Sequence, residues 1–324
     1  MAGRWLDRQF IPFAVMPTTL LMLCVFGLPL LFSGFLSFQG WAPELGLFDG
    51  KFVGMANYED LLTDPDFVGS ITLTVIYTAS TVTAELLCGL CIALLLNVDL
   101  PYIAFFRTFL VIPMMITPVV AAFCWKLLLD PDHGVINYWI GQHIVWLGRP
   151  DTALLAVAVV NVWQNAPYVA ILLLAGLRSL PHEPVEAARI DGASVWQMFY
   201  HITLPLLRPY ILVALILRTI FEFRSFDNIY VLTSGGPANA TMTLSQFTYL
   251  ASFVRFDLSL GAAASWLMLL MSMLLCVVFI AGKRKSRGNY DSSDGCSLRA
   301  RMPRFEVSLN VLDQLDAWYP SECQ

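Results

Sequence analysis

Glu186-Ala-Ala-Arg-Ile-Asp-Gly192-Ala-Ser-Val-Trp-Gln-Met-Phe-Tyr-His-Ile202-Thr-Leu-Pro205 is a polar stretch set between two long apolar runs. A helix-turn-helix of this polarity, inside so apolar a chain, has to touch something outside the membrane. Pro184 suits the first position of a helix, where its missing N–H costs nothing, and Glu186 falls in the first turn, where a carboxylate complements the helix dipole. Ala187 and Ala188 leave that helix without side-chain bulk, so another surface can approach its backbone. Gly192 supplies the left-handed position that ends it. Ser194 with Gln197 makes a capping box for a second short helix, whose Val195, Phe199 and Ile202 fall on one side with Trp196 adjoining. Pro205 and Pro209 are expected to stop that helix. On shape alone the stretch reads equally as a surface for a partner, as a helix lying on lipid, or as a structural connection.

Composition says where such a chain lives. With 324 residues, 57% hydrophobic and 13% charged, and a mean hydropathy of +0.67, it carries more apolar surface than one soluble domain can hide. A net charge of -5 excludes a nucleic-acid partner, which needs a clustered basic excess. Cys88 and Cys91, with no second pair and no nearby histidine, read as helix packing rather than metal or redox chemistry. His133, His143, His182 and His201 are dispersed, so no metal site is expected. The Gly46 to Lys51 segment has three residues between its glycines and no following Ser or Thr, so it is not a phosphate loop. Neither a Gly-x-Ser-x-Gly nor a His-Glu-x-x-His occurs, and no catalytic residue is assigned.

Six membrane spans are expected: Gln9 to Pro43, Phe67 to Val98, Thr108 to Trp125, Thr152 to Leu177, about Pro209 to Leu232, and Leu258 to Gly282. Crossing the hydrocarbon takes roughly 20 residues, and the third run sits near the lower limit. Pro113 and Pro118 are expected to kink it, as Pro29 kinks the first. The first run is too long for a signal peptide and lacks a cleavage site. Trp41, Trp139 and Trp146 read as interfacial residues. With the N-terminus inside, 13 Lys and Arg fall on the cytoplasmic side and four outside, as the positive-inside rule predicts. That orientation puts Glu186 to Pro205 in the cytoplasm.

The fifth span is the polar one. Arg218, Glu222 and Arg224 occur within seven residues, followed by Asp227. Each charge at the bilayer centre costs roughly 2.5 to 3.5 kcal/mol, so these groups must face protein or water. Arg218 and Glu222 stand four apart and can pair on one helical face. Two readings follow, an internal ion pair that holds helices together and a hydrated solute path. Glu85, the lone charge of the second span, reads as a gating or solute residue or as a carboxyl hydrogen-bonded to a neighbouring helix.

The loop resembles the cytoplasmic signature of membrane subunits in binding-protein-dependent ABC importers, and Ile190-Asp-Gly-Ala193 with Thr203-Leu-Pro-Leu206 resembles the carbohydrate branch of that family. Leu232-Thr-Ser-Gly-Gly-Pro237 followed by Thr241 resembles the segment after the fifth span in maltose-type permeases, as the first of a permease pair. Phe52-Val-Gly-Met-Ala-Asn-Tyr58 through Asp64-Pro-Asp-Phe67 resembles the family's first outer loop. The resemblance implies an all-α polytopic membrane protein: a transmembrane domain over residues 1–287, a cytoplasmic coupling loop over about 178–208, and a disordered cytoplasmic tail over 288–324. Phe305 to Trp318 is the one part of that tail that reads as a short amphipathic helix.

It implies an ATPase contact through Glu186, Ala187, Ala188, Asp191, Gly192, Ile202, Leu204 and Pro205. It also implies a solute path through Asn161, Asn165, Tyr168, Arg218, Phe221, Glu222 and Ser225. Phe221 and Tyr168 would stack on sugar rings. Arg218 and Glu222 stand where the maltose-type relative has neutral polar residues, which leaves an oligosaccharide, a monosaccharide, a polyol, or an anionic polyol phosphate balanced by Arg218 and Arg224. The implied partners are a second permease subunit, two ABC ATPase subunits that bind ATP and Mg, an extracytoplasmic solute-binding protein and membrane lipid, in a bacterial or archaeal plasma membrane. No cofactor is expected on this chain. The rival is a self-sufficient carrier driven by an ion through Glu85, Glu222 and Arg218. It would ordinarily show internal repeats, and none is visible.

Overall fold

A computed structural model of the chain describes residues 15–41, 50–98 and 102–297. The proposed amphipathic segment at Phe305 to Trp318, and most of the Gly46 to Lys51 segment, lie outside the described residues. Residues up to Cys276 form one compact unit, and Val277 onward is assigned to a second. Apart from a two-stranded hairpin, β1 (Gln39–Gly40) with β2 (Lys51–Phe52), the described structure is helical.

The long elements are α1 (Val15–Leu36), α3 (Pro65–Leu96), α7 (Pro150–Arg178), α9 (Val195–Phe223) and α12 (Leu258–Ser297), the last apolar as far as Phe279. Shorter ones connect them: α2 (Ala56–Thr63), α4 (Ile103–Met115), α5 (Pro118–Leu128), α6 (Val135–Ile140), α8 (Glu183–Ile190), α10 (Asp227–Thr233) and α11 (Leu244–Tyr249). Five helices are long and apolar enough to cross a membrane, and α4 with α5 makes a sixth as a broken span. The helix α12 runs through Gly288, the first residue of the tail as read from sequence, to Ser297.

The third span bends by 95° where only a kink was expected. Thr117 precedes Pro118, whose ring disfavours helical backbone, and Ile116 is extended as well, so two successive residues leave the helix. The carbonyl freed at Ile116 accepts a hydrogen bond from Gln164 Nε2 at 2.9 Å. Irregular backbone inside a membrane protein survives where a neighbour satisfies it.

Pro205 and Pro209 do not stop the helix that Ser194 begins; α9 runs through both to Phe223. A wide π turn spans Phe199–Thr203. It contains His201, whose carbonyl the Pro205 ring would strike in a regular helix. Pro205 then falls in the first turn of the α-helical stretch Leu204–Phe223, where its missing N–H costs nothing, and only Pro209 lies in the helix interior. The second helix of the loop and the fifth span are therefore one element.

Around this framework α3 and α7 pack more extensively than any other pair. Gly89 makes that approach possible, since a Cβ there would lie 2.6 Å from Val169 Cγ1. Outside the bundle, Asn57 Nδ2 donates to the carbonyls of Ser37 and Gln39 at 2.8 and 2.9 Å, which ties the Phe52 to Tyr58 stretch to the end of α1. Thr241 Oγ1 donates to the Gly236 carbonyl at 2.8 Å and closes the turn after α10.

Candidate functional site

Two regions answer to the residues singled out in the sequence, and the first is inside the bundle. Arg218 on α9 grips Glu85 on α3 in a bidentate pair, Nε to Oε2 at 2.7 Å and one terminal nitrogen to Oε1 at 2.8 Å. The same terminal nitrogen also donates to Glu222, one helical turn on. Asn161 on α7 donates to the other oxygen of Glu222. Its own amide oxygen accepts from Asn165 Nδ2 and Asn228 Nδ2, both at 3.0 Å. Asn228 also donates to Gln164 Oε1 at 3.1 Å, and Gln164 holds the broken third span. One polar chain thus crosses from α3 through α9 and α7 to the break between α4 and α5.

Arg218 is 5% exposed, Glu222 4%, Asn161 2% and Glu85 not at all. The ion-pair reading of Arg218 with Glu222 is realised, and Glu85 is its second partner. Two carboxylates face one guanidinium, which leaves one acid in surplus among amide donors. Other residues of the inferred path are open: Phe221 is 63% exposed, and Asn165, Tyr168 and Ser225 are half-buried. Gln164 and Asn228 were not anticipated. Asn228 lies beyond the break after Phe223, and nothing in the local pattern points it back at α7.

The second region is the loop. Gly192 has φ of +77° and open space around its α-carbon. Its N–H donates to the Arg189 carbonyl at 3.1 Å, while Ala193 N–H donates to Ala188 at 2.9 Å. Those two bonds are the Schellman pattern that terminates a helix. Two residues on, the capping box forms as expected, with Ser194 N–H to Gln197 Oε1 at 2.8 Å and Gln197 N–H to Ser194 Oγ at 3.3 Å. Glu186, Ala187 and Asp191 are exposed, and Ala188, Ile202, Leu204 and Pro205 are half-buried. Apolar groups stand in the open beside them: Ile190 is 87% exposed, Val195 76% and Trp196 71%. Trp196 and Tyr200 stack at 6.2 Å.

A helical bundle of five or six spans, braced by a polar chain and carrying a rigid polar loop, defines a multi-pass membrane transport subunit. Residues 85–284 match the family described as binding-protein-dependent transport system inner membrane component, and the chain belongs to that family. It is 41% identical over 256 residues to a probable ABC transporter permease protein of Sinorhizobium fredii, covering 78% of this chain and 82% of that one. It is 38% identical over 235 residues to a trehalose/maltose transport system permease protein of Thermococcus litoralis, covering 71% and 79%. The fold matches a chain of a bacterial ABC transporter involved in alginate import, with a TM-score of 0.76, 22% identity, and 88% and 98% of the two chains covered. The protein is thus an inner-membrane permease of a binding-protein-dependent ABC importer. That membership sets aside the self-sufficient ion-driven carrier.

Proposed function

We propose that the chain is one of two permease subunits that pass a carbohydrate or polyol inward, the energy coming from ATP bound with Mg on two ATPase subunits. A solute-binding protein delivers the solute to the outer loops, in a bacterial or archaeal plasma membrane with both termini cytoplasmic. The naming of the Thermococcus litoralis relative for trehalose and maltose supports a sugar. Residues 1–287 form the membrane domain, and the loop over about 178–208 is its contact with an ATPase.

The observation that carries this reading is the loop's construction. Its first helix ends in a rigid Schellman turn, its apolar side chains lie open, and its second helix continues without interruption into the span that bears Arg218. Closure of the ATPases pushes on this loop, and α9 passes the push to the solute path at Asn161, Asn165, Tyr168, Arg218, Phe221, Glu222 and Ser225. Coupling of this kind needs different loop contacts in two states. Gly192→Val places a β-branched residue at positive φ, at a local cost of about 1–2 kcal/mol. ATP-driven uptake by Gly192→Val and by Glu186→Lys is expected to be abolished, while the solute-binding protein keeps its affinity. Normal uptake by both variants sinks the assignment.

A further inference from the structure

The charge that the buried cluster does not use marks a different site. Arg218 is enclosed by two carboxylates, whereas Arg224, just past the end of α9, is exposed. Its guanidinium has no hydrogen-bonding or ionic partner among the described residues. It borders a cleft of about 450 Å³ lined also by Phe226, Tyr249, Phe253, Ser245 and Ser265. It further borders Leu30 and Trp266. Leu30 lies six residues before the end of α1, and Trp266 eight residues after the start of α12. The cleft therefore runs from Leu36 and Leu258, at the very ends of those helices, to Leu30 and Trp266 about two turns further along, with Arg224 on its wall. A guanidinium without a counter-charge on the wall of such a cleft offers its donor fork to an incoming carboxylate or phosphate.

The rest of the lining fits a sugar. Phe226 and Tyr249 lie with ring centroids 5.0 Å apart, and Tyr249 and Phe253 5.5 Å apart, which makes a continuous aromatic wall. Such a wall suits the apolar face of a pyranose ring. Ser265 Oγ donates to the Gly261 carbonyl at 2.8 Å and keeps its lone pairs for an incoming hydroxyl. Ser245 Oγ has only the weak acceptor Met268 Sδ, at 3.6 Å, and is easily redirected. We infer that this cleft binds a carbohydrate bearing an acidic group, a carboxylate or a phosphate, with the acid on Arg224 and the ring against Tyr249 and Phe253. The inference deepens the import reading and rests on it. An anionic lipid headgroup offers Arg224 the same chemistry, so the test has to separate the two sources.

The full-length chain, with the partner subunits that accompany it, is placed in phosphatidylcholine nanodiscs and titrated with labelled glucuronate and labelled glucose. Glucuronate is expected to bind about tenfold more tightly. Arg224→Gln should remove that preference and leave glucose binding within about twofold, and Arg224→Lys should keep most of it. Unchanged thermal unfolding of both variants establishes that they fold. Equal affinity for the two sugars, no saturable binding of either, or a preference that survives in Arg224→Gln overturns the inference. So does a preference that vanishes in phosphatidylglycerol discs while Arg224 retains that lipid, because the cation then belongs to a headgroup. Arg224-dependent glucuronate binding by a chain that brings no ATPase with it would overturn the coupling assignment and leave this site standing.

Discussion

The two regions of the molecule that carry chemistry are built on opposite plans. Around Arg218 every charged group finds its partner within the chain, across helices as far apart in sequence as Glu85 and Glu222. Around Gly192 backbone hydrogen bonds fix the turn, yet the side chains of Ile190, Val195 and Trp196 stay largely exposed, with Trp196 stacked on its loop neighbour Tyr200. A region satisfied from within sets the stability of the bundle. A region that is rigid but uncovered waits for a partner. The sign of a mutation's effect should therefore differ between them: stability is lost in the first, assembly in the second.

Arg218→Ala tests this most severely. It leaves Glu85 and Glu222 buried without a counter-charge, and breaking a buried pair in this way costs about 3–5 kcal/mol. The variant is expected to unfold far earlier than wild type in a detergent thermal scan, whereas Glu222→Gln, which leaves Arg218 its bidentate partner Glu85 but turns an amide N–H toward Arg218 or Asn161, should cost clearly less. If Arg218→Ala melted normally, the cluster would not be a brace. Gly89→Ala probes the same packing without charge, since the new methyl meets Val169, and overpacking costs about 1–3 kcal/mol. A melting temperature unmoved by this change would show that α3 and α7 approach less closely than described.

On the loop, Ile190→Ala with Trp196→Ala should shift stability by no more than about 0.5 kcal/mol each. Recovery of the ATPase subunit in a pull-down should nevertheless fall severalfold; full recovery would erase the contrast between the regions. The smallest effect belongs to the stretch from the end of α5 to the start of α7, which includes α6. There Asp132 Oδ1 lies 2.9 Å from His143 Nε2 and raises the imidazole above its ordinary pKa. Because the folded value exceeds the unfolded one of about 6.5, the extra stability is present below that pH. It is lost as pH rises through the folded value. Amide protection factors of this segment, corrected for the base-catalysed intrinsic rate, should be higher at acidic than at alkaline pH, and Asp132→Asn should flatten the difference.

Much of this architecture is written locally in the chain. Uncharged runs locate the spans, and Ser194 with Gln197 and Gly192 specify the loop's cap and stop, because caps depend on residues two to five apart. The i, i+4 pairing of Arg218 with Glu222 is legible for the same reason. What could not be read is the contact of Glu85 with Arg218, 133 residues away. Helix packing decides it, and no periodicity reports it. The prolines mislead in both directions. Pro205 and Pro209 read as stops, but the π turn at Phe199–Thr203 lets Pro205 sit in the first turn of the α-helical stretch that follows, and α9 stays continuous. Pro118 does more than kink, because Gln164 on another helix receives the carbonyl that the break exposes.

The uninterrupted run of α9 has a mechanical consequence. From Val195 to Phe223 it holds 29 residues, and at about 1.5 Å each this makes a lever roughly 43 Å long. Tilting it as one body by about 10° sweeps one end sideways by about 7 Å relative to the other, and bending at the π turn of Phe199–Thr203 or at Pro209 would absorb part of that stroke.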